Sequence, residues 1–194
     1  ITGNLAARVW NRRNAALNDA AFDSLALTAN SRLLEVGFGG GYLLGRMAGV
    51  VTAGLLAGVD ISPAMGAYVA RKHREVIDAR RLALVCASAE SLPFATASFT
   101  KACSVNSVFY WRDVVLGLAE IGRVLASRGT FVLCLTCKAS LEKRPFAAAI
   151  RLFEPAELEG LMATHGFQNI MATYQSDRHR HSACITGTMT GDAR

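Results

Sequence analysis

The strongest constraint on this chain is a repeating alternation. Five short runs, "RLLEVG" (32–37), "AGLLAGVD" (53–60), "RLALVCA" (81–87), "TKACSVN" (100–106) and "TFVLCLT" (130–136), each end in a polar or turn residue and are apolar on both faces. A strand apolar on both faces must be covered on both, which is the condition of a parallel sheet between two helical layers. Between them, "GYLLGRMAGV", "SPAMGAYVARKHREVI" and "VVLGLAEIGRVLAS" repeat apolar residues three and four apart, the helical period. The pattern predicts a doubly wound α/β fold with a mostly parallel, Rossmann-like sheet.

The ends of the chain modify that plan. Two further runs, "FQNIMATYQ" (167–175) and "SACITGTM" (182–189), follow one another with no helix between them, so they are expected to pair antiparallel as strands six and seven. Ser62-Pro63 reads as a helix cap followed by a first-turn proline, and Gly166 closes the helix "EPAELEGLMATHG" just after His165. With 194 residues the chain reads as one domain. Within it, residues 1–30 form a helical segment outside the sheet, 31–136 the core, 137–153 an insertion, and 154–194 the final helix and hairpin.

Composition excludes several classes. Lys and Arg exceed Asp and Glu by 21 to 15, but the excess is scattered in small clusters such as "RKHR" (71–74), read here as the solvated face of a helix. Without a continuous basic stripe and interleaved aromatics, nucleic acid is not an expected partner. The apolar stretch 48–59 is too short and too interrupted to span a bilayer, and no secretory signal is visible, so a cytoplasmic location is expected. The chain begins at Ile1 and not at a methionine, which leaves room for an upstream segment. The five cysteines, Cys86, Cys103, Cys134, Cys137 and Cys184, read as buried free thiols, and a strand would point Cys134 and Cys137 to opposite faces, against metal binding.

The first strand runs into "LLEVGFGGGYLL" (33–44), where Glu35 precedes Gly37, Gly39, Gly40 and Gly41. Glycines allow positive φ and close approach of a bound molecule, and an open parallel sheet binds ligands at this edge. A dinucleotide loop requires a third small residue, but the two possible registers place Tyr42 or Leu44 there. A carboxylate beside the loop also suits a cationic ligand better than a pyrophosphate. S-adenosylmethionine, with a sulfonium and an ammonium group, is such a ligand, and Asp60 at the end of the second strand is placed to accept its ribose hydroxyls. A helix cap is the competing role for Asp60, one that Ser62 is available to fill.

From about Ser31 to Met189 the sequence resembles the class I S-adenosylmethionine-dependent methyltransferases of the UbiE-like, methyltransferase-domain type. "LLEVGFGGG" is similar to that family's first motif and "GVDISPAM" to its second, while "ASAESLPFATASFT", "IGRVLASRGTFVL" and "FEPAELEGLMATHGF" resemble later ones, in order. The resemblance implies a cofactor site built from Glu35, Gly37, Phe38, Gly39, Gly41, Asp60, Ile61, Ser88, Ala89, Glu90 and Asn106. Ile61 would lie against adenine. Ser88 stands where the family usually has an Asp for the adenine amino group, Thr100 replaces a common Asp, and Phe38 a small or Cys residue.

Methyl transfer from a sulfonium is an in-line displacement that depends mainly on alignment and exclusion of water, and it needs a base only when the acceptor must lose a proton. Asn106 is expected to face the reactive methyl group. In "NSVFYWRD" (106–113), Tyr110 is the preferred candidate for the acceptor wall, with Phe109 and Trp111 divided between that role and the core. Asn106 and Tyr110 are therefore the catalytic candidates. His179 and His181 could supply a base but read better as an exposed hairpin, and His73 as surface. The resemblance implies that the N-terminal helix with Trp10, Asn11 and Asn14 closes as a lid and that S-adenosylhomocysteine is the product; no spacing specifies the acceptor, for which a small hydrophobic or aromatic molecule is the expectation. A non-catalytic methyltransferase-like subunit and a dinucleotide oxidoreductase remain the alternatives.

Overall fold

The computed structural model describes residues 14–176 and 180–191. A seven-stranded sheet forms the centre: β1 (Arg32–Val36), β2 (Leu55–Asp60), β3 (Leu82–Cys86), β4 (Phe99–Val105), β5 (Leu125–Thr136), β6 (Phe167–Ser176) and β7 (His181–Met189). Its order is β3-β2-β1-β4-β5-β7-β6. Strands β1 to β5 pair in parallel, whereas β7 runs antiparallel to both of its neighbours and is thus inserted between β5 and β6. The strand order reverses between β1 and β4, which opens a crevice at their carboxyl ends.

Helices α1 (Ala15–Ser24), α2 (Tyr42–Val50), α3 (Pro63–Lys72) and the short α4 (Arg74–Asp78) precede β3. Later come α5 (Val114–Val124), the single-turn α6 (Lys138–Leu141) and α7 (Pro155–Thr164). Alternation along β1 sends Leu33 and Glu35 to one face and Leu34 and Val36 to the other. Leu33 packs with Leu17, Leu43, Leu44, Met47 and Val69 under α1 to α3. Leu34 and Val36 pack with Phe99, Phe131, Phe153, Leu118 and Ile121 under α5 and α7. Ser62 caps α3 as expected, its Oγ accepting from the Met65 N–H (3.4 Å), and His165 is the C-terminal cap of α7 with Gly166 at φ 85°.

Four details depart from the sequence reading. The helix predicted through residue 127 stops at Val124, and the chain enters β5 at once, five residues before the apolar run at Thr130 begins. The predicted helix over 62–77 breaks at His73, whose φ of −114° is not helical. His73 is half-buried rather than a surface residue, because this break turns its ring back toward the glycine loop. Nor are the five cysteines all buried free thiols. Cys134 and Cys184 are opposite partners in the β5–β7 ladder and are joined as a disulfide, while Cys86 is exposed and only Cys103 and Cys137 are buried thiols. Among the described residues no helix is long and apolar enough to cross a membrane.

Candidate functional site

The glycine loop begins where β1 ends. The Gly37 N–H donates to the Val59 carbonyl at 2.7 Å, so the chain leaves the sheet still tied to β2. Gly37, at φ 81°, is required by proximity: a Cβ there would lie 2.2 Å from Ser107 Cβ. Gly39, at φ 48°, has no atom within 4 Å of its would-be Cβ. It faces open space, and its N–H donates to Asp60 Oδ2 at 2.8 Å. Asp60 Oδ1 accepts from the Ser62 N–H at 2.9 Å. Each oxygen of this carboxylate thus carries one protein donor and keeps further acceptor capacity.

Glu35 is 3% exposed, and among the described residues its Oε2 has no hydrogen-bond partner. Burial, reinforced by the nearby charge of Asp60 and only partly offset by the Leu44 backbone N–H, pushes its pKa up to about 8. The small chamber it faces, about 50 Å³, is bounded by Asn14, Asn18, Gly37, Phe38, Gly39 and Gly40, among others. A space of that size admits a small polar group. A buried carboxyl oxygen left without a partner beside such a space is costly without a ligand.

The main cleft, about 390 Å³, opens at the strand-order reversal. Gly37, Gly39, Asp60 and Ile61 line one part of it, and Ser88, Ala89 and Glu90 another. Asn106 and Tyr110 complete the set, so nine of the candidates share one cavity. Glu35 and Phe38 border the adjoining small chamber with Gly37 and Gly39. Gly41 lines neither space; it caps α2 in the left-handed region, with the Val69 methyl groups 2.8 Å from where a Cβ would stand.

Several candidates are already engaged. Ser88 Oγ accepts from the Glu90 N–H (3.3 Å), and Glu90 Oε1 accepts from the N–H groups of Arg112 (2.6 Å) and Asp113 (3.2 Å). Glu90 thereby stitches the wall formed by the β3–β4 connection to the segment after β4. Asn106, in the left-handed region at φ 52°, accepts from the Thr136 N–H at 2.7 Å and donates through Nδ2 to Asn14 Oδ1 at 2.9 Å. Of the three aromatics, Phe109 is buried in the core, whereas Tyr110 is 56% exposed and lines the cleft. Trp111 does both, packing against Gly117 and donating its indole N–H to Ser107 Oγ at 3.1 Å. Burial raises the Tyr110 pKa above its ordinary value, so at neutral pH the phenol is a hydrogen-bond donor and not a base.

His181 is exposed, pairs with Ser176 Oγ and does not line the cleft; His179, Trp10 and Asn11 lie outside the described residues. Ser107 and Ser62 were not among the sequence candidates, yet both line the cleft. Ser107 donates to the Val36 carbonyl (3.0 Å) and anchors Trp111, and Ser62, besides capping α3, lines the cleft. Ser107 had one signal, its place beside Asn106 after an apolar strand; its partners in β1 and at Trp111 appear only in the folded chain.

Residues 34–133 match the family model described as a methyltransferase domain. The uncharacterized methyltransferase YdaC of Bacillus subtilis (strain 168) is 27% identical over 185 residues, which span 94% of this chain and 96% of that protein. Among solved structures, one from the complex of the Haloferax volcanii Trm112 methyltransferase activator superposes with a TM-score of 0.85 at 17% identity, over 97% of this chain and 96% of that one. A geranyl diphosphate methyltransferase solved with SAM gives 0.79 at 14% identity, over 93% and 87%. At such identities the structural matches speak for the fold.

Proposed function

The chain belongs to the methyltransferase-domain family, and from that premise we propose that it is an S-adenosylmethionine-dependent methyltransferase acting on a small-molecule acceptor. The observation that carries this reading is the pair of acidic side chains, Glu35 and Asp60, on neighbouring strands around a loop in which four of five residues are glycine. A bound S-adenosylmethionine supplies an activated methyl group on a sulfonium.

The residues fit that ligand. Asp60 retains acceptor capacity for two hydroxyls, which a ribose offers in pairs. Ile61, 69% exposed at the rim of the cleft, and the buried Ala89 supply apolar surface for a purine face. Ser88, hydrogen-bonded within its own loop, leaves backbone groups near Ala89 to recognise the purine edge. Gly37 and Gly39 let the main chain approach the amino-acid portion, and the orphaned Oε2 of Glu35 provides an anionic partner for an ammonium group.

Asn106 and Tyr110 hold the acceptor side. Asn106 is fixed by Thr136 and Asn14, which makes it a rigid wall next to the reacting atoms. Tyr110 offers an exposed ring face and a phenolic donor. Neither is a base at neutral pH, which suits an acceptor that needs no prior deprotonation. Asn14, just before α1, borders the cleft, whereas Leu17 and Ala21 of α1 are packed in the core, and residues 1–13 of the expected lid lie outside the described residues; residues 137–153 would complete the acceptor side.

Titration of the purified chain with S-adenosylhomocysteine and with NAD, followed by calorimetry, tests the reading. Saturable binding of the first alone supports it. Binding of NAD alone would replace it with a dinucleotide site.

A further inference from the structure

Nothing in the cofactor reading accounts for the cation-bearing end of α3. Val69, Lys72 and His73 stand at i, i+3 and i+4, so they share one helical face, and that face meets the glycine loop. Val69 methyl carbons lie 2.8 Å from where a Gly41 Cβ would be. Lys72 Nζ donates to the Gly40 carbonyl at 3.3 Å, and His73 Nε2 lies 3.0 Å from the Gly41 carbonyl oxygen. A carbonyl only accepts, so Nε2 must carry the proton.

The ring has a place prepared for it. A Cβ on Gly45 in α2 would stand 2.6 Å from His73 Cε1, so glycine at that position makes room for the imidazole. The non-helical φ at His73 ends α3 at the point that swings the ring toward the loop. Burial holds the imidazole below its ordinary pKa, so the bond persists with a neutral ring.

Gly41 is the residue before α2, at φ 63° and ψ 30°, with no side-chain cap for the helix. Its N–H donates to the Phe38 carbonyl at 2.8 Å and its carbonyl accepts from the Gly45 N–H at 3.3 Å, so His73 adds a shorter, side-chain donor to a carbonyl otherwise held by one long backbone bond. Glycine in this region flips its peptide planes at little steric cost. The far side of the loop is held through Gly39 by Asp60, and Asp60 also binds the Ser62 N–H at the opposite end of α3. One helix therefore grips the loop at both of its ends.

We propose that His73 is a positioning residue for the ligand loop: its Nε2–H fixes the Gly41 peptide so that the loop is preformed for the adenosyl amino acid. The proposal rests on the cofactor reading for the ligand's identity, but not for the positioning itself.

The experiment compares wild type with His73→Gln, which retains a donor at nearly the same reach, and with His73→Asn and His73→Ala, which do not. Two quantities are read: amide hydrogen exchange over residues 38–46 in the ligand-free protein, and the Kd for S-adenosylhomocysteine. Expected are faster exchange and about tenfold weaker binding for Asn and Ala, the loss of roughly one hydrogen bond, with Gln close to wild type in both. Wild-type exchange in the Asn and Ala variants would overturn the proposal, as would a Gln variant no better than Asn. Should wild type bind no S-adenosylhomocysteine, the exchange comparison still decides the role of His73, and only the ligand assignment falls. If His73→Ala does not fold, the Gln and Asn pair carries the comparison.

Discussion

The Gly39 N–H and Asp60 Oδ2 meet at 2.8 Å, a bond that joins the loop after β1 to the end of β2. It makes Asp60 both a wall of the cleft and a support for the loop opposite. Asp60→Ala should therefore weaken S-adenosylhomocysteine binding by on the order of 100-fold or more, since charge-assisted bonds contribute about 1.5–3 kcal/mol each. Asp60→Asn, which keeps one acceptor, should lose less. Calorimetric titration of both variants checks the ranking, and equal affinities across all three proteins would remove Asp60 from the site.

Glu35 makes a pH-dependent prediction. With a pKa near 8 it is protonated in the ligand-free protein at neutral pH. A bound ammonium favours the carboxylate, so binding should release a proton below about pH 8, and affinity should rise with pH from about 6 toward 8. Calorimetry in buffers of different ionisation enthalpy measures that proton directly, and Glu35→Gln should abolish it. Stability has the opposite sense. Because the folded pKa lies above the ordinary 4.5, the ligand-free fold holds an extra proton between those values and loses stability as pH rises through them. The melting temperature of wild type should fall over that window more than that of Glu35→Gln.

Two glycines of one loop should behave differently. Gly37→Ala drives a methyl group into Ser107 at a backbone angle that already disfavours side chains. A cost of about 3 kcal/mol, roughly 6–12 °C in Tm, is expected. Gly39→Ala meets no neighbour and bears only the conformational strain, about 1 kcal/mol, so it should fold. Thermal denaturation of the two variants separates these cases.

Tyr110 is exposed in the cleft and takes no part in the core. Tyr110→Ala should leave S-adenosylhomocysteine affinity within about threefold of wild type while reducing methyl transfer about tenfold or more, the scale of a lost positioning contact. Tyr110→Phe should retain most activity if the ring face is what matters. Transfer of a labelled methyl group to an accepted substrate gives the measurement.

The architecture was readable because its signals are local and physical. Two-sided apolar strands demanded a parallel sheet, and the absence of a helix between β6 and β7 demanded an antiparallel pair. The position of β7 inside the sheet, between β5 and β6, was not legible, because strand order depends on pairing between segments far apart in the chain. The same limit hid the Cys134–Cys184 contact, which follows from ladder register alone. In the site, Gly37, Gly39 and Asp60 stood out through residue type and spacing. His73 did not, since within "RKHR" nothing distinguishes a solvated cation from a ring turned under the neighbouring loop.

The central claim is that Glu35, the glycine loop and Asp60 hold an adenosyl compound carrying positive charge. Its most direct test is a titration of the folded wild-type chain with S-adenosylmethionine, run beside Asp60→Ala. One-to-one saturable binding that the variant largely loses is the expected result. A folded wild-type chain that takes up no S-adenosylmethionine, or a variant that binds it as well as wild type, would contradict the claim.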